Sequence, residues 1–300
     1  MPTIAERFNR WLFGRAVRAL GSTPPVRLGA APFAALSMVH HRDVLPYLLA
    51  AKSFVHHAKP SRLILVADPS LDETDQRLLT RHLPGLEIHP AAMFRRPALP
   101  VGGTWERLSA IAELSGEQSI VQVDADTVTI AAPSEVVEAA SRGVSFVIRS
   151  EAGVEIVRLD EAQRLGEQLA QKSRHIQVAA ESKLTQLRGW ERMRYTRGCS
   201  GFTGFGRGAL SPQLLADVSE QMRGIHGSRW DEWGTEQVTS NLLAASASDA
   251  FLLPHPRYCN ADTKSPETIV THYIGYARYV NRAYEMEAKR AVLELSSSPS

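Results

Sequence analysis

The chain has 300 residues, 44% hydrophobic and 22% charged, the balance of an ordinary globular protein with a sizeable core. A formal net charge of +2 is too small for the basic stripe of a nucleic-acid binder, though it suits anionic ligands such as phosphates. Cys199 and Cys259 form neither a CxxC pair nor a disulfide framework, so a reducing, cytoplasmic setting is expected, and no apolar run is long enough to span a membrane.

Residues 1–21 interleave Ile4, Phe8, Trp11, Leu12, Phe13, Val17 and Leu20 with Arg7, Arg10, Arg15 and Arg18. That is not the continuous apolar block expected of a signal peptide; it predicts a basic amphipathic helix. Such a helix either docks on its own domain or makes peripheral contact with an anionic membrane surface. Gly-Ser, Pro-Pro and Ala-Pro breaks over residues 21–32 read as a linker, which separates residues 1–32 from a main domain over 33–295. Apolar runs at 34–39, 63–67 and 86–89 predict buried strands, and 43–57 and 72–82 predict the helices between them. A helix over 105–114, with Thr104 as its N-cap, precedes a strand at 119–123, and 127–130 continues beyond it. Residues 135–140 read as a helix and 144–148 as a strand. Residues 159–194 are rich in Gln, Glu, Arg and Lys, and suggest a peripheral helical insertion (159–196) on the acceptor side. A helix with its preceding loop at 230–245, a strand at 250–253, a last helix at 272–295 and a polar tail at 296–300 complete the chain.

Strands alternating with helices imply a mostly parallel, Rossmann-like α/β sheet covered on both faces. Ligands of such sheets bind beyond the carboxyl ends of the strands. His40, His41 and Asp43 follow the first strand and are expected at that rim.

Asp124 and Asp126 flank one residue at the end of an apolar strand. If the chain stays extended, their side chains project the same way. Two hard oxygen donors there suit Mg²⁺ or Mn²⁺ with sites left for phosphate oxygens. About one Asp-x-Asp is expected by chance in a chain of this length, so the weight comes from context: two carboxylates beside a buried strand are costly unless compensated. His272-x-x-Gly275-x-x-Arg278 adds an imidazole able to serve as a third metal ligand, a glycine that lets backbone approach a ligand, and a planar fork that fits a diphosphate.

The order of these segments resembles the family 8-type glycosyltransferases of the GT-A fold. The resemblance rests on Trp105-Glu106-Arg107-Leu108, on the strand ending in Asp124-Ala125-Asp126, and on the late His272-x-x-Gly275. It implies that Asp124, Asp126 and His272 hold Mn²⁺ and that Arg107 contacts the donor. Arg278 stands where that family has Lys, and Tyr279-Val280 replaces its Pro-Trp. Cys199-Ser200-Gly201 resembles the family's Asn-Ala/Ser-Gly strand near the donor sugar, with Cys199 in the place of Asn. Glu236-Gln237 resembles the Asp-Gln helix start facing the reacting sugar, with Glu in the place of Asp.

The function implied is transfer of a sugar from a nucleotide-diphosphate donor to a saccharide or lipid-linked acceptor, as in bacterial envelope polysaccharide or glycolipid synthesis. An inverting mechanism needs a carboxylate base, for which Asp231, Glu232 and Glu236 are candidates; in a retaining one Gln237 would lie by the sugar. Trp230 and Trp233 are candidates for stacking on an acceptor. The run Gly201-x-x-Gly204-x-Gly206-x-Gly208 lacks the dinucleotide order. A nucleotidylyltransferase would want glycines after the first strand, where Val39-His40-His41-Arg42-Asp43 has none. A non-catalytic domain that binds a sugar nucleotide or a partner is the other alternative.

Overall fold

The computed structural model describes residues 2–150 and 154–297. Its strands are β1 (Ala31–Val39), β2 (Pro60–Ala67), β3 (Leu86–Pro90), β4 (Ser119–Val123), β5 (Thr127–Thr129) and β6 (Phe146–Arg149). The remaining strands are β7 (Val157–Arg158), β8 (Arg194–Tyr195), β9 (Gly198–Phe205), β10 (Phe251–Leu252), β11 (Tyr258–Asn260) and β12 (Val270–His272). The helices are α1 (Ile4–Arg18), α2 (Val44–Ala58), α3 (Glu73–His82), α4 (Trp105–Leu114) and α5 (Ser134–Arg142). They continue with α6 (Leu159–Ala170), α7 (Ile176–Glu181), α8 (Pro212–His226), α9 (Thr235–Ser246) and α10 (Ala283–Ser297).

Two compact units divide the chain. The first comprises Met1–Pro90, Gln122–Glu138 and Pro254–Ser300; the second comprises Ala91–Val121 and Ala139–Leu253. The seven-stranded sheet has the order β10-β6-β9-β4-β1-β2-β3, and the chain passes from the second unit to the first within β4. The sheet is mostly parallel with helices around it, as the alternation predicts, except that β9 runs antiparallel to β6.

In the first unit, β1 pairs parallel with β2 and β2 with β3, so β1 and β2 end together at Val39 and Ala67. Their inner residues are buried, as expected of strands covered on both faces. A small second sheet, β11-β12-β5, lies in the same unit. Helix α1 opens on a capping box between Thr3 and Glu6 and docks through Phe13, which stacks on Tyr284 of α10 at 3.8 Å. In the second unit, α8 opens on a Ser211 cap with Pro212 at its first position. No described helix is long and apolar enough to cross a membrane.

Residues 159–194 are mostly helical, as expected, in two helices and two 3₁₀ turns, with Gly189 in a left-handed turn (φ 74°). Two local expectations are corrected. Strand β1 already begins at Ala31, inside the stretch read as linker. His272 does not open a helix: it ends β12, paired antiparallel with β5, and the last helix starts only at Ala283. The β-branched Val270-Thr271 favours a strand, but three residues are too few to show a period.

Candidate functional site

The first unit gathers one group of candidate residues. After β4 the chain does not stay extended. Asp124 and Asp126 lie in a turn closed by Thr127, whose backbone N–H and hydroxyl both donate to the Asp124 carbonyl at 3.1 and 2.9 Å. The turn, not strand alternation, presents the two carboxylates. Backbone pairing brings β12 alongside: His272 stands opposite Thr127, and the N–H of Tyr273 donates to the Asp126 carbonyl at 2.8 Å. One ligand atom from each of Asp124, Asp126 and His272 lies within 4.8 Å of the others. Two carboxylates and an imidazole are a donor set that fits Mn²⁺ or Mg²⁺.

Asp126 is buried, and His272 Nε2 lies 3.1 Å from its Oδ1. Arg278 donates to the other oxygen, Oδ2, and reaches Asp43 Oδ1 at 3.4 Å. Burial alone would raise the Asp126 pKa, but His272 and Arg278 outweigh it and hold the carboxyl well below the usual range. It therefore stays ionised at neutral pH. Arg278 is half-buried; burial opposes its charge, yet Asp126 pushes its pKa up. At the strand ends, His40 Nδ1 lies 3.2 Å from Asp68 Oδ2, and the Asp68 N–H donates to the Val39 carbonyl at 3.1 Å. His41 instead pairs with Asp75 at 2.6 Å, in the capping box of α3. Gly275 has open space where a Cβ would stand, so packing among the described residues does not require a glycine there.

The segment carrying Arg278 is held by α1 and α10. Asn9 of α1 donates to the Tyr279 carbonyl at 3.0 Å, and Phe13 and Tyr284 pack against Tyr279. Tyr273 stacks on Tyr284 at 4.2 Å, and its hydroxyl donates to the buried Glu287 at 2.7 Å. Tyr279 thus has a packing role: it seats the N-terminal helix.

The second unit gathers another group. Glu236, in the first turn of α9, is buried and accepts from Arg107 of α4 at 3.2 Å on both oxygens. Ser200 and Thr104 donate to the same carboxylate at 3.3 and 3.1 Å. Thr104 is the N-cap residue of α4 by position, but it sits at φ 73° and its side chain makes no cap bond. Against β6, the register of β9 jumps from Val147–Thr203 to Ile148–Cys199. Ser200, Gly201 and Phe202 therefore form a bulge, a device that re-aims side chains beside functional sites. Gln237 is half-buried. Asp231 is exposed and forms a two-armed ion pair with Arg223 at 2.9 Å, which lowers its pKa; Glu232 pairs likewise with Arg229. Trp230 cannot stack on a ligand: it is fully buried, edge-on to Trp105, and its N–H donates to Ser219. Trp233 is 69% exposed and stays a candidate.

Sequence reasoning missed Asp68 and Glu106. The strand-end rule that places His40 at the rim applies equally to Asp68, which directly follows β2. Glu106 is buried and accepts from the Gly102 N–H at 3.1 Å, pinning the loop before α4; no sequence signal marks that contact.

No protein-family model matches the sequence, and no curated protein matches it. Solved structures do match. The apo structure of the bifunctional glycosyltransferase WbbM superposes with a TM-score of 0.52 at 13% identity, over 90% of this chain and 52% of that one. The galactosyltransferase LgtC, solved with donor and acceptor sugar analogs, gives 0.51 at 10% identity, over 89% of this chain and 97% of LgtC. GlyE from Streptococcus pneumoniae TIGR4 gives 0.51 at 12% identity, over 88% of this chain and 61% of that one. The chain has the GT-A glycosyltransferase fold and spans about half of WbbM but nearly all of LgtC.

Proposed function

We propose that the protein is a metal-dependent glycosyltransferase that takes a sugar from a nucleotide-diphosphate donor. The observation that carries this reading is the cluster of Asp124, Asp126 and His272 with Arg278 beside it, on a GT-A fold. A cation bound by the three ligands would neutralise charge developing on the leaving diphosphate. Arg278, already in place through Asp126 and Asp43, would turn its fork toward phosphate oxygens. His40, Asp43 and Asp68 at the strand ends would serve the nucleoside.

In the second unit, Arg107, Ser200, Gly201, Glu236 and Gln237 are assigned to the donor sugar. Glu236 is tied to Arg107, so its first role is to orient that guanidinium. Gln237 is the residue assigned to the reacting sugar. Asp231 could act as a base only after leaving Arg223, and its lowered pKa makes it a weak one. Trp233 supplies an exposed ring for a saccharide acceptor.

A lipid-linked acceptor at an anionic membrane surface is supported by α1. While Phe13 and Val17 face inward, Ile4, Phe8 and Trp11 are exposed along one side, and Arg7, Arg10, Arg15 and Arg18 are exposed too.

The assay is nucleoside-diphosphate release from a panel of UDP-, GDP- and dTDP-sugars with Mn²⁺. The expected result is turnover of one donor class, lost on chelation and reduced at least about 100-fold in a folded Asp126→Asn variant. Absence of release from every donor would instead favour the non-catalytic binding domain.

A further inference from the structure

We infer that the first unit holds a second metal site, made by His56, His57 and Glu294 and suited to Zn²⁺ or a similar borderline transition ion. His56 and His57 occupy the last turn of α2, and Glu294 the last turns of α10. Both imidazole Nε2 atoms lie 3.4 Å from one and the same carboxylate oxygen, Oε1 of Glu294. That separation is long for an N–H···O hydrogen bond, whose usual range is about 2.7–3.2 Å. It is the separation of two ligands on one tetrahedral ion. With Zn–N and Zn–O bonds of about 2.0–2.2 Å, the edge of the tetrahedron is about 3.3–3.5 Å.

The rest of the arrangement agrees. One ligand atom from each of the three side chains lies within 4.8 Å of the other two. The imidazole rings stand edge-to-face at 78° with centroids 4.8 Å apart, side by side at the end of α2. The side chains are 21%, 11% and 36% exposed: ordered by their surroundings, yet open to an ion and to water as a fourth ligand. Two imidazoles and one carboxylate favour Zn²⁺, whereas the carboxylate-rich set of Asp124 and Asp126 favours harder ions. The two sites would therefore sort metals by ligand type.

An ion there would tie the C-terminal end of α10 to α2. Helix α10 also carries Tyr284 and Glu287, which brace Tyr273 directly after β12. The site is thus a clip on the scaffold behind His272, and its occupancy should show as rigidity in α10.

The test uses the tag-free full chain carrying Asp126→Asn, stripped with EDTA and dialysed against low-micromolar Zn²⁺. The expected result is one bound equivalent per chain, a rise in melting temperature, and slower amide exchange over residues 283–297. Adding Glu294→Gln, nearly isosteric and half-exposed, or His57→Ala should lose the equivalent and both effects while circular dichroism stays native. No bound zinc in the Asp126→Asn chain, or one equivalent still bound after Glu294→Gln and His57→Ala together, would overturn the proposal.

Discussion

At the scale of single residues, the buried Arg107–Glu236 pair is where substitution should cost most. Both side chains are about as buried as the core, so neither charge has water as a substitute partner. Glu236→Ala would leave a buried guanidinium uncompensated, and we expect a loss of about 3–5 kcal/mol in urea unfolding. Replacing both at once, as Arg107→Met with Glu236→Leu, should recover most of that loss, because the desolvation cost goes with the charges. Lys52 gives a prediction in pH. It is fully buried, donates to Thr23 Oγ1 and the Pro24 carbonyl, and burial lowers its pKa from 10.5 to about 8. Between those two values the unfolded chain holds the proton and the folded chain has released it. The unfolded state binds more protons there, so folding stability rises with pH across that window. Relative to Lys52→Met, the wild type should gain up to ~3 kcal/mol between pH 7.5 and pH 10.5, read from urea unfolding at both pH values.

At the scale of elements, β9 explains why the chain needs so many glycines near residue 200. A Cβ on Gly206, the residue directly after β9, would lie 1.9 Å from the Gly143 carbonyl oxygen, a backbone atom that cannot swing aside. Gly206→Ala should destabilise by about 1–3 kcal/mol or more. Gly224, inside α8, has nothing within 4 Å of that position, and Gly224→Ala should stabilise by roughly 0.5–1 kcal/mol. Thermal unfolding of the two variants checks both signs. Helix α1 makes a separate claim. Phe13, Val17 and Leu20 are buried, so deleting the helix would damage the core; Trp11, stacked on Phe8 at 5.9 Å and covered by Arg15, is the residue to change. Trp11→Glu should abolish sedimentation with vesicles rich in anionic lipid and leave the fold intact. Binding equal to wild type would refute the membrane contact.

The elements were largely legible where a periodic pattern was long. Strands β1 and β2 and helices α2 and α3 stand close to where hydrophobic runs and caps put them. The short pieces were not: β5 and β12 have three residues each, too few to carry a period, yet together they bring His272 to Asp126. The Asp-x-Asp pair was visible as residues but not as a turn, because the bonds that close it come from the Thr127 N–H and hydroxyl. Nor could sequence separate Trp230 from Trp233, since burial of one depends on Trp105 and Ser219, more than ten residues away.

At the scale of the whole molecule, the GT-A fold is matched by solved glycosyltransferases at 10–13% identity, a level at which the motifs had to carry the resemblance. The order of Arg-Leu helix, Asp-x-Asp and late His-x-x-Gly resembles that of family 8-type glycosyltransferases, with Glu236 and Arg278 in the places of Asp and Lys. Both substitutions keep a charge, and both residues sit in ion pairs, Glu236 with Arg107 and Arg278 with Asp126. The most direct test is a thermal-shift panel of UDP-, GDP- and dTDP-sugars, each with and without Mn²⁺, on wild type and Asp126→Ala. A shift with one donor class that needs Mn²⁺ and vanishes in the variant is the predicted result; a folded wild type that no donor shifts, with or without Mn²⁺, would contradict it.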